Sequence, residues 1–113
     1  MSISLDTFEQ VCRDVFGEKY THVDFENAVH ETNIEFGGFD IDVSNTVFVH
    51  GNLDPWHPLG IRKSISDNAV LIMINGTSHC DDVSPGGSHK DLTKAKQQIG
   101  EHIAKWLSST FNQ

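Results

Sequence analysis

The sequence is poor in cysteine and in basic residues. Cys12 and Cys80 are its two cysteines, too few for a disulfide framework, although they can pair with each other or with partners elsewhere. Only 8 Lys and Arg stand against 16 Asp and Glu, which gives a formal charge of −8. Because nucleic acids and anionic lipids attract basic surfaces, we expect neither a nucleic-acid partner nor docking on a membrane.

Long apolar runs are also missing. The longest, Ala69–Ile74, is far too short to cross a bilayer, and the first residues have neither the basic nor the apolar region of a signal peptide. Hydrophobic residues make up 37% of the chain and charged residues 21%, which is typical of a globular protein. At 113 residues the chain is long enough for one small domain, and we predict no second one.

Apolar periodicity predicts a helix at each end of the chain. Side chains spaced by three and four residues indicate an amphipathic helix over Leu5–Phe16, with Ser4 as its N-cap and Gly17 as its stop. The same spacing predicts a second helix from Leu92 to Leu107, preceded by a capping-box pattern at 88–91. Residues 18–44 have weak periodicity and are predicted to be irregular, with short helical or extended pieces and a turn at Gly37-Gly38.

Two short runs of apolar residues predict buried strands. They are Thr46–Val49 and Ala69–Ile74, and the loop between them is predicted to contain a short helical turn at Ile61–Asp67. Continuous apolar strands joined by a long connection indicate a parallel sheet in an α/β protein. Two such strands rarely suffice, so the chain either pairs with another chain or is part of something longer. The alternative is a small two-strand α+β protein.

Candidate chemistry follows the two predicted strands. Asp54 lies in the loop after the first strand and His79 in the loop after the second. Parallel neighbouring strands bring such loops to the same edge of a sheet, where α/β proteins collect their catalytic groups. An aspartate can accept the N–H of a histidine ring and orient it, and the order acid then histidine is that of the α/β hydrolases.

Specific motifs surround both residues. The stretch 45–60, with Gly51 and Asp54-Pro55-Trp56, resembles a signature of the serine-peptidase family that contains prolyl carboxypeptidase, dipeptidyl peptidase II and the thymus-specific serine protease. The Gly-x-x-His loop at 76–79 resembles the second signature of that family. Further matches lie at 8–17, at Asn33 with 37–38, and in the last helix, so that the resemblance covers nearly the whole chain. His50 departs from it, since the family usually has asparagine there.

The resemblance implies a fold, an activity and two site residues. The fold is the C-terminal part of an α/β hydrolase, here two parallel strands with flanking helices in an incomplete sheet. The activity is that of a serine-type exopeptidase, either a proline-directed carboxypeptidase or a dipeptidyl-peptidase, acting on peptides without a cofactor. Asp54 matches the acid of the catalytic triad and His79 its base. Members of the family act in lysosomes or outside the cell.

The third triad member has no match in the sequence. No serine is flanked by glycine on both sides, as a Gly-x-Ser-x-Gly nucleophile elbow requires. We therefore predict that the chain alone is inactive, because a histidine without a serine to deprotonate forms no acyl-enzyme. The alternative is a non-catalytic interaction module or degenerate hydrolase remnant, which associates with itself or adds a strand to a related chain.

A metal site is a weaker alternative. Ligand-type side chains are close together in sequence at His79, Cys80, Asp81, Asp82 and His89. Their spacing matches no recognised zinc pattern, so we expect no metal.

Trp56 is predicted to pack the Asp54 loop against the core.

Overall fold

A computed structural model describes residues 4–83 and 89–110 of the chain. The chain divides into two units, Met1–Ile41 and Asp42–Gln113. The first unit contains helix α1 (Leu5–Phe16), helix α2 (His22–Phe36) and a 3-10 turn at Gly38–Asp40. The second contains strand β1 (Thr46–Gly51), a 3-10 turn at His57–Leu59, strand β2 (Ala69–Ile74) and helix α3 (Lys90–Thr110). None of the helices in the described residues is both long and apolar enough for a membrane crossing.

Helix α1 has the predicted bounds. It begins after Ser4 and ends before Gly17, whose φ of 103° lies in the region that favours glycine. Ser4 occupies the N-cap position, but its side chain makes no capping hydrogen bond and lies 3.3 Å from the Thr7 hydroxyl instead. The apolar periodicity was therefore sufficient to predict the helix, and Ser4 is its N-cap residue as predicted, although its side chain does not cap the backbone.

Helix α2 contradicts the prediction that residues 18–44 are irregular. It begins with a capping box in which the Thr21 backbone N–H donates to Asp24 Oδ2 at 2.8 Å and the Thr21 hydroxyl accepts from the Asp24 N–H at 3.4 Å. It ends at Gly37, which has a φ of 84°. Its apolar residues do not gather on one face, so the 3.6-residue periodicity that predicts helices was too weak to detect it.

A hydrogen-bonded pair, in which Glu9 is buried and His22 is largely exposed, joins the two helices of the first unit. Glu9 of α1 is only 7% exposed, and its Oε1 lies 2.5 Å from Nδ1 of His22 in α2. His22 Nε2 also lies 3.2 Å from the Glu26 carboxylate, and Arg13 is 3.9 Å from Glu9. The hydrogen bond to Glu9, followed by the charges of Glu9 and Glu26, raises the pKa of His22 above the ordinary 6.5.

We expect this pair to make the stability of the chain depend on pH. A raised folded-state pKa means that the contribution of His22 is present in full below the ordinary pKa of 6.5 and is lost as the pH rises through the higher folded value. Urea unfolding of the wild-type chain and of His22→Gln, at about pH 5.5 and about pH 8.5, measures this contribution. The variant should lose stability at the lower pH only, and an equal loss at both pH values would contradict the prediction.

The two strands pair in parallel, as predicted. Their register runs from Thr46 opposite Ala69 to Gly51 opposite Ile74, so β1 is two residues longer than its apolar run. The described residues thus form part of an α/β fold, with an open sheet of two parallel strands and helices beside them in the chain. Ile74, Leu92 and Ala95 form the core between β2 and α3, and Val49 and Ile72 pack against it.

The apolar runs predicted two buried strands, but in the structure both strands are only partly buried. Most of β1 is half-buried, and Met73 in β2 is 42% exposed. The helical turn predicted at Ile61–Asp67 is also wrong, because part of this segment lies along β2 instead. The Ile65 N–H donates to the Ala69 carbonyl at 2.8 Å, and the Leu71 N–H donates to the Ser64 hydroxyl at 3.0 Å.

Helix α3 confirms the prediction of a C-terminal helix. It covers the predicted stripe from Leu92 to Leu107, of which Leu92 and Ala95 are buried in the core. Ser88, on which the predicted capping box depends, lies outside the described residues.

Candidate active site

The site lies where β1 and β2 end side by side. Because Gly51 pairs with Ile74, the loops after the two strands leave the same edge of the sheet. The Asn52 N–H donates to the Ile74 carbonyl at 3.1 Å, and the Leu53 N–H donates to the Thr77 carbonyl at 2.9 Å. These bonds extend the contact between the two strands into the two loops, which are thereby held together at their beginnings.

Asp54 is held by its own loop and by the neighbouring one. Only 8% of the residue is exposed. Its Oδ1 accepts the backbone N–H of Trp56 at 2.9 Å, which is the turn that aspartate forms with the residue two positions ahead. Its Oδ2 lies 2.9 Å from Nδ1 of His79. The Asp54 backbone carbonyl also accepts a hydrogen bond of 2.6 Å from Nδ1 of His57. Both the side chain and the backbone of Asp54 are therefore fixed by hydrogen bonds.

The charge of Asp54 determines which nitrogen of His79 carries the proton. The hydrogen bond from His79, followed by that from the Trp56 N–H, lowers the pKa of the Asp54 carboxyl below the ordinary 3.8. The ionised carboxylate only accepts hydrogen bonds, so Nδ1 of His79 must be the donor. The neutral imidazole then carries its lone pair on Nε2. The His79 side chain as a whole is 54% exposed.

A cleft of about 260 Å³ opens beside the pair. Besides Asp54 and His79, its lining includes His50, Trp56, Cys80 and Asp82. The Trp56 ring meets the His79 ring edge-on, with centroids 4.8 Å apart and an angle of 75°. Trp56 is 58% exposed, so it packs on the histidine rather than on the core as predicted. The cleft is smaller than most ligand pockets, which suits one wall of a larger site.

The part of the His79 loop that directly follows β2 is internally bonded. The Thr77 hydroxyl donates to the Ile74 carbonyl at 2.9 Å, and the Ser78 N–H donates to Asp81 Oδ2 at 2.6 Å. Cys80, directly after His79, has a φ of 62°, a left-handed conformation that is uncommon for residues other than glycine. The chain therefore turns at Cys80, directly after His79.

The structure thus brings Asp54 and His79 into direct contact, while their catalytic roles remain a prediction. The residues of the alternative metal site have other contacts, since Asp81 accepts the Ser78 N–H and His79 bonds Asp54. In the described part of the chain, no three His, Cys, Asp or Glu residues gather as a metal site would require. Both cysteines are free. Asn52, whose side chain contacts the His79 loop, was missed, although it directly follows a strand that ends in glycine.

Comparison with known proteins adds the family context of this geometry. Residues 1–99 match the family described as Serine carboxypeptidase S28. A Caenorhabditis elegans protein whose name describes it as a serine protease is 36% identical to this chain over 100 residues. The aligned residues cover 85% of this chain and 19% of that protein. The mouse thymus-specific serine protease is 30% identical over 100 residues, 87% of this chain and 19% of its own length.

A third relative carries a more specific name. The mouse lysosomal Pro-X carboxypeptidase is 29% identical over 115 residues, which cover 95% of this chain and 23% of that protein. The chain therefore spans about a fifth of the length of the relatives that it matches. No solved structure gives a significant match.

Proposed function

The chain belongs to the serine carboxypeptidase S28 family, as its motifs predicted, and from this premise we propose that it carries two members of a serine-peptidase triad. Asp54 is the acid and His79 is the base. The chain forms the C-terminal segment of a single α/β-hydrolase domain, and the whole enzyme is a proline-directed exopeptidase, either a carboxypeptidase or a dipeptidyl-peptidase. Its substrates are peptides, as the name of the mouse Pro-X carboxypeptidase suggests for that relative.

One observation carries this proposal: the 2.9 Å hydrogen bond between His79 Nδ1 and Asp54 Oδ2. The bond joins residues 25 positions apart in sequence, at the edge of the sheet where α/β enzymes hold their catalytic groups. It orients the imidazole and leaves Nε2 free for a proton. Two residues of the family motifs therefore meet in the arrangement that a triad requires.

The chemistry assigns one task to each residue. A serine hydroxyl from another segment attacks the carbonyl carbon of the substrate, and its proton passes to Nε2 of His79. The same proton then passes to the leaving amine, which departs as the acyl-enzyme forms. Water repeats the sequence and releases the acid and the serine. Asp54 holds the ring and offsets the charge of the imidazolium while His79 carries both ring protons.

The small core supports the proposal that the chain is part of a longer domain. Among the described residues, the buried hydrophobic side chains are Ile61, Ala69, Ile74, Leu92 and Ala95. Large apolar side chains on α1 are half exposed or more, namely those of Leu5, Phe8, Val11, Val15 and Phe16. Such surfaces are normally covered, because parallel sheets and amphipathic helices pack against further layers.

We expect the chain by itself to have no peptidase activity. No Gly-x-Ser-x-Gly elbow occurs in it, so both the serine nucleophile and the backbone N–H that follows the nucleophile in the oxyanion hole are missing. Loss of one oxyanion donor alone costs about 10²–10³ in rate. The purified chain should therefore cleave neither a peptide with proline before its C-terminal residue nor one with proline second from its N-terminus. Turnover that disappears in His79→Ala would contradict this prediction.

A chimera tests the triad assignment directly. This chain replaces the matching segment of the mouse lysosomal Pro-X carboxypeptidase, which would supply the serine and the specificity pocket. We expect the chimera to react with a fluorophosphonate probe and to release the residue after proline. The parent enzyme and the chimera are compared by gel filtration and circular dichroism. A chimera that folds like its parent but neither reacts nor cleaves would overturn the proposal.

The interaction-module alternative predicts a different result. Among the described residues no strand pairs with the outer edge of β1, and such an edge can accept a strand from another chain. A module of this kind would associate with itself or with a related chain, which size-exclusion chromatography detects. Its association would be insensitive to His79→Ala, whereas the activity of the chimera would not.

A further inference from the structure

Besides the bond between Asp54 and His79, the Asn52 side chain also connects the Asp54 loop to the His79 loop. Asn52 Oδ1 accepts the backbone N–H of Gly76 at 2.7 Å, and its Nδ2 donates to Oδ1 of Asn75 at 2.8 Å. Its backbone N–H donates to the Ile74 carbonyl at 3.1 Å. One residue of the first loop thus binds three consecutive residues at the end of the neighbouring strand.

The hydrogen bonds of Asn52 lie close in sequence to both Asp54 and His79. Asp54 comes two residues after Asn52, and His79 comes three residues after Gly76. Gly76 has a φ of 76°, so the chain turns there in a conformation that favours glycine. The Asn52 side chain holds this turn through the Gly76 N–H. A shift of the turn would move the His79 ring relative to the Asp54 carboxylate.

We propose that Asn52 is a positioning residue, which holds the Asp54 and His79 loops in the relative position that their hydrogen bond requires. This inference rests on the proposed function for its catalytic meaning, but its geometry can be tested without activity. Both side-chain bonds lie at an exposed site, where water competes for the same donors and acceptors and each bond therefore contributes little to the free energy of unfolding. Asn52 therefore affects alignment more than it affects overall stability.

The test is NMR of the 113-residue chain, wild type and Asn52→Ala. The bond from His79 lowers the pKa of Asp54, so loss of alignment should move the carboxyl titration of Asp54 back towards 3.8. The contact between the Trp56 and His79 rings, now 4.8 Å between centroids, should weaken in nuclear Overhauser spectra. Asn68→Ala, at the opposite end of β2, is the matched control and should change neither signal.

The outcomes separate positioning from simple stabilisation. A lower melting temperature with an unchanged Asp54 titration and ring contact would overturn the proposal. If Asn52→Ala does not fold, Asn75→Ala decides, because it removes one of the two side-chain bonds. It should shift the Asp54 titration in the same direction by a smaller amount, and no shift would overturn the proposal.

The chimera adds a functional readout. In the chimera, Asn52→Ala should lower kcat about tenfold, because misalignment of catalytic groups slows the reaction. KM should stay near the value of the unsubstituted chimera. An inactive parent chimera would count against the proposed function. The NMR result would still decide whether Asn52 aligns the two loops.

Discussion

Replacing His79 by alanine in the chimera should reduce kcat by about 10⁴-fold or more, because removal of the base leaves the serine protonated. KM should change little, since the imidazole acts on the reacting atoms and not on the remainder of the peptide. Reaction with the fluorophosphonate probe should fall in parallel. His30→Ala is the matched control, because it removes an exposed histidine of α2, and it should leave kcat unchanged.

Asp54→Asn tests the other member of the pair, the carboxylate that orients His79. An amide can present its NH₂ to Nδ1 of His79, which would favour the tautomer with the proton on Nε2. The base is then blocked, and kcat should fall by about 10⁴-fold with the fold intact. Asp67→Asn, in the exposed turn before β2, is the control. Activity within tenfold of the chimera in either His79→Ala or Asp54→Asn would show that the pair is not catalytic.

Gly51→Ala should have the largest effect on the structure of the site. A Cβ atom at this position would lie 2.5 Å from the Thr77 carbonyl oxygen and 2.7 Å from that of Ser78. Both are backbone atoms of the His79 loop, which cannot yield as a flexible side chain does. We expect a loss of about 1–3 kcal/mol in the free energy of unfolding. The Asp54 titration should also return towards 3.8 as the loops separate.

Gly100→Ala is the internal control for this variant. Gly100 lies in α3, and nothing stands within 4 Å of a Cβ atom added there. Alanine in a helix is more stable than glycine by about 0.5–1 kcal/mol, so this variant should be more stable than the wild type. Urea unfolding measures both. A Gly51→Ala chain as stable as the wild type, with an unchanged Asp54 titration, would contradict the steric argument.

The two N-terminal helices illustrate which elements a sequence predicts well. In α1 the apolar residues recur every three or four positions, so the helix Leu5–Phe16 could be predicted with its bounds. In α2 they do not form a stripe, and the helix is instead defined at its ends by the Thr21–Asp24 capping box and by Gly37. Capping signals are short and occur often by chance, which explains why this helix was missed.

In the site, the position of Asp54 and His79 could be predicted, whereas the contacts around them could not. Parallel strands must place their carboxyl ends together, so two apolar runs followed by polar loops were enough to bring Asp54 and His79 to one edge. The contacts of Trp56 and Asn52 were not predictable, because both depend on the course of loop backbone. Trp56 turned out to cover the His79 ring rather than the core.

The amino-acid sequence by itself determined the family, the parallel pairing of the strands and the edge of the sheet where Asp54 and His79 lie. These properties follow from local motifs and from the two continuous apolar runs, which extend over a few neighbouring positions. Only the tertiary structure decided that the two side chains are 2.9 Å apart, which ring nitrogen holds the proton and which asparagine joins the loops. These features depend on contacts between residues more than twenty positions apart, and no local pattern encodes such distances.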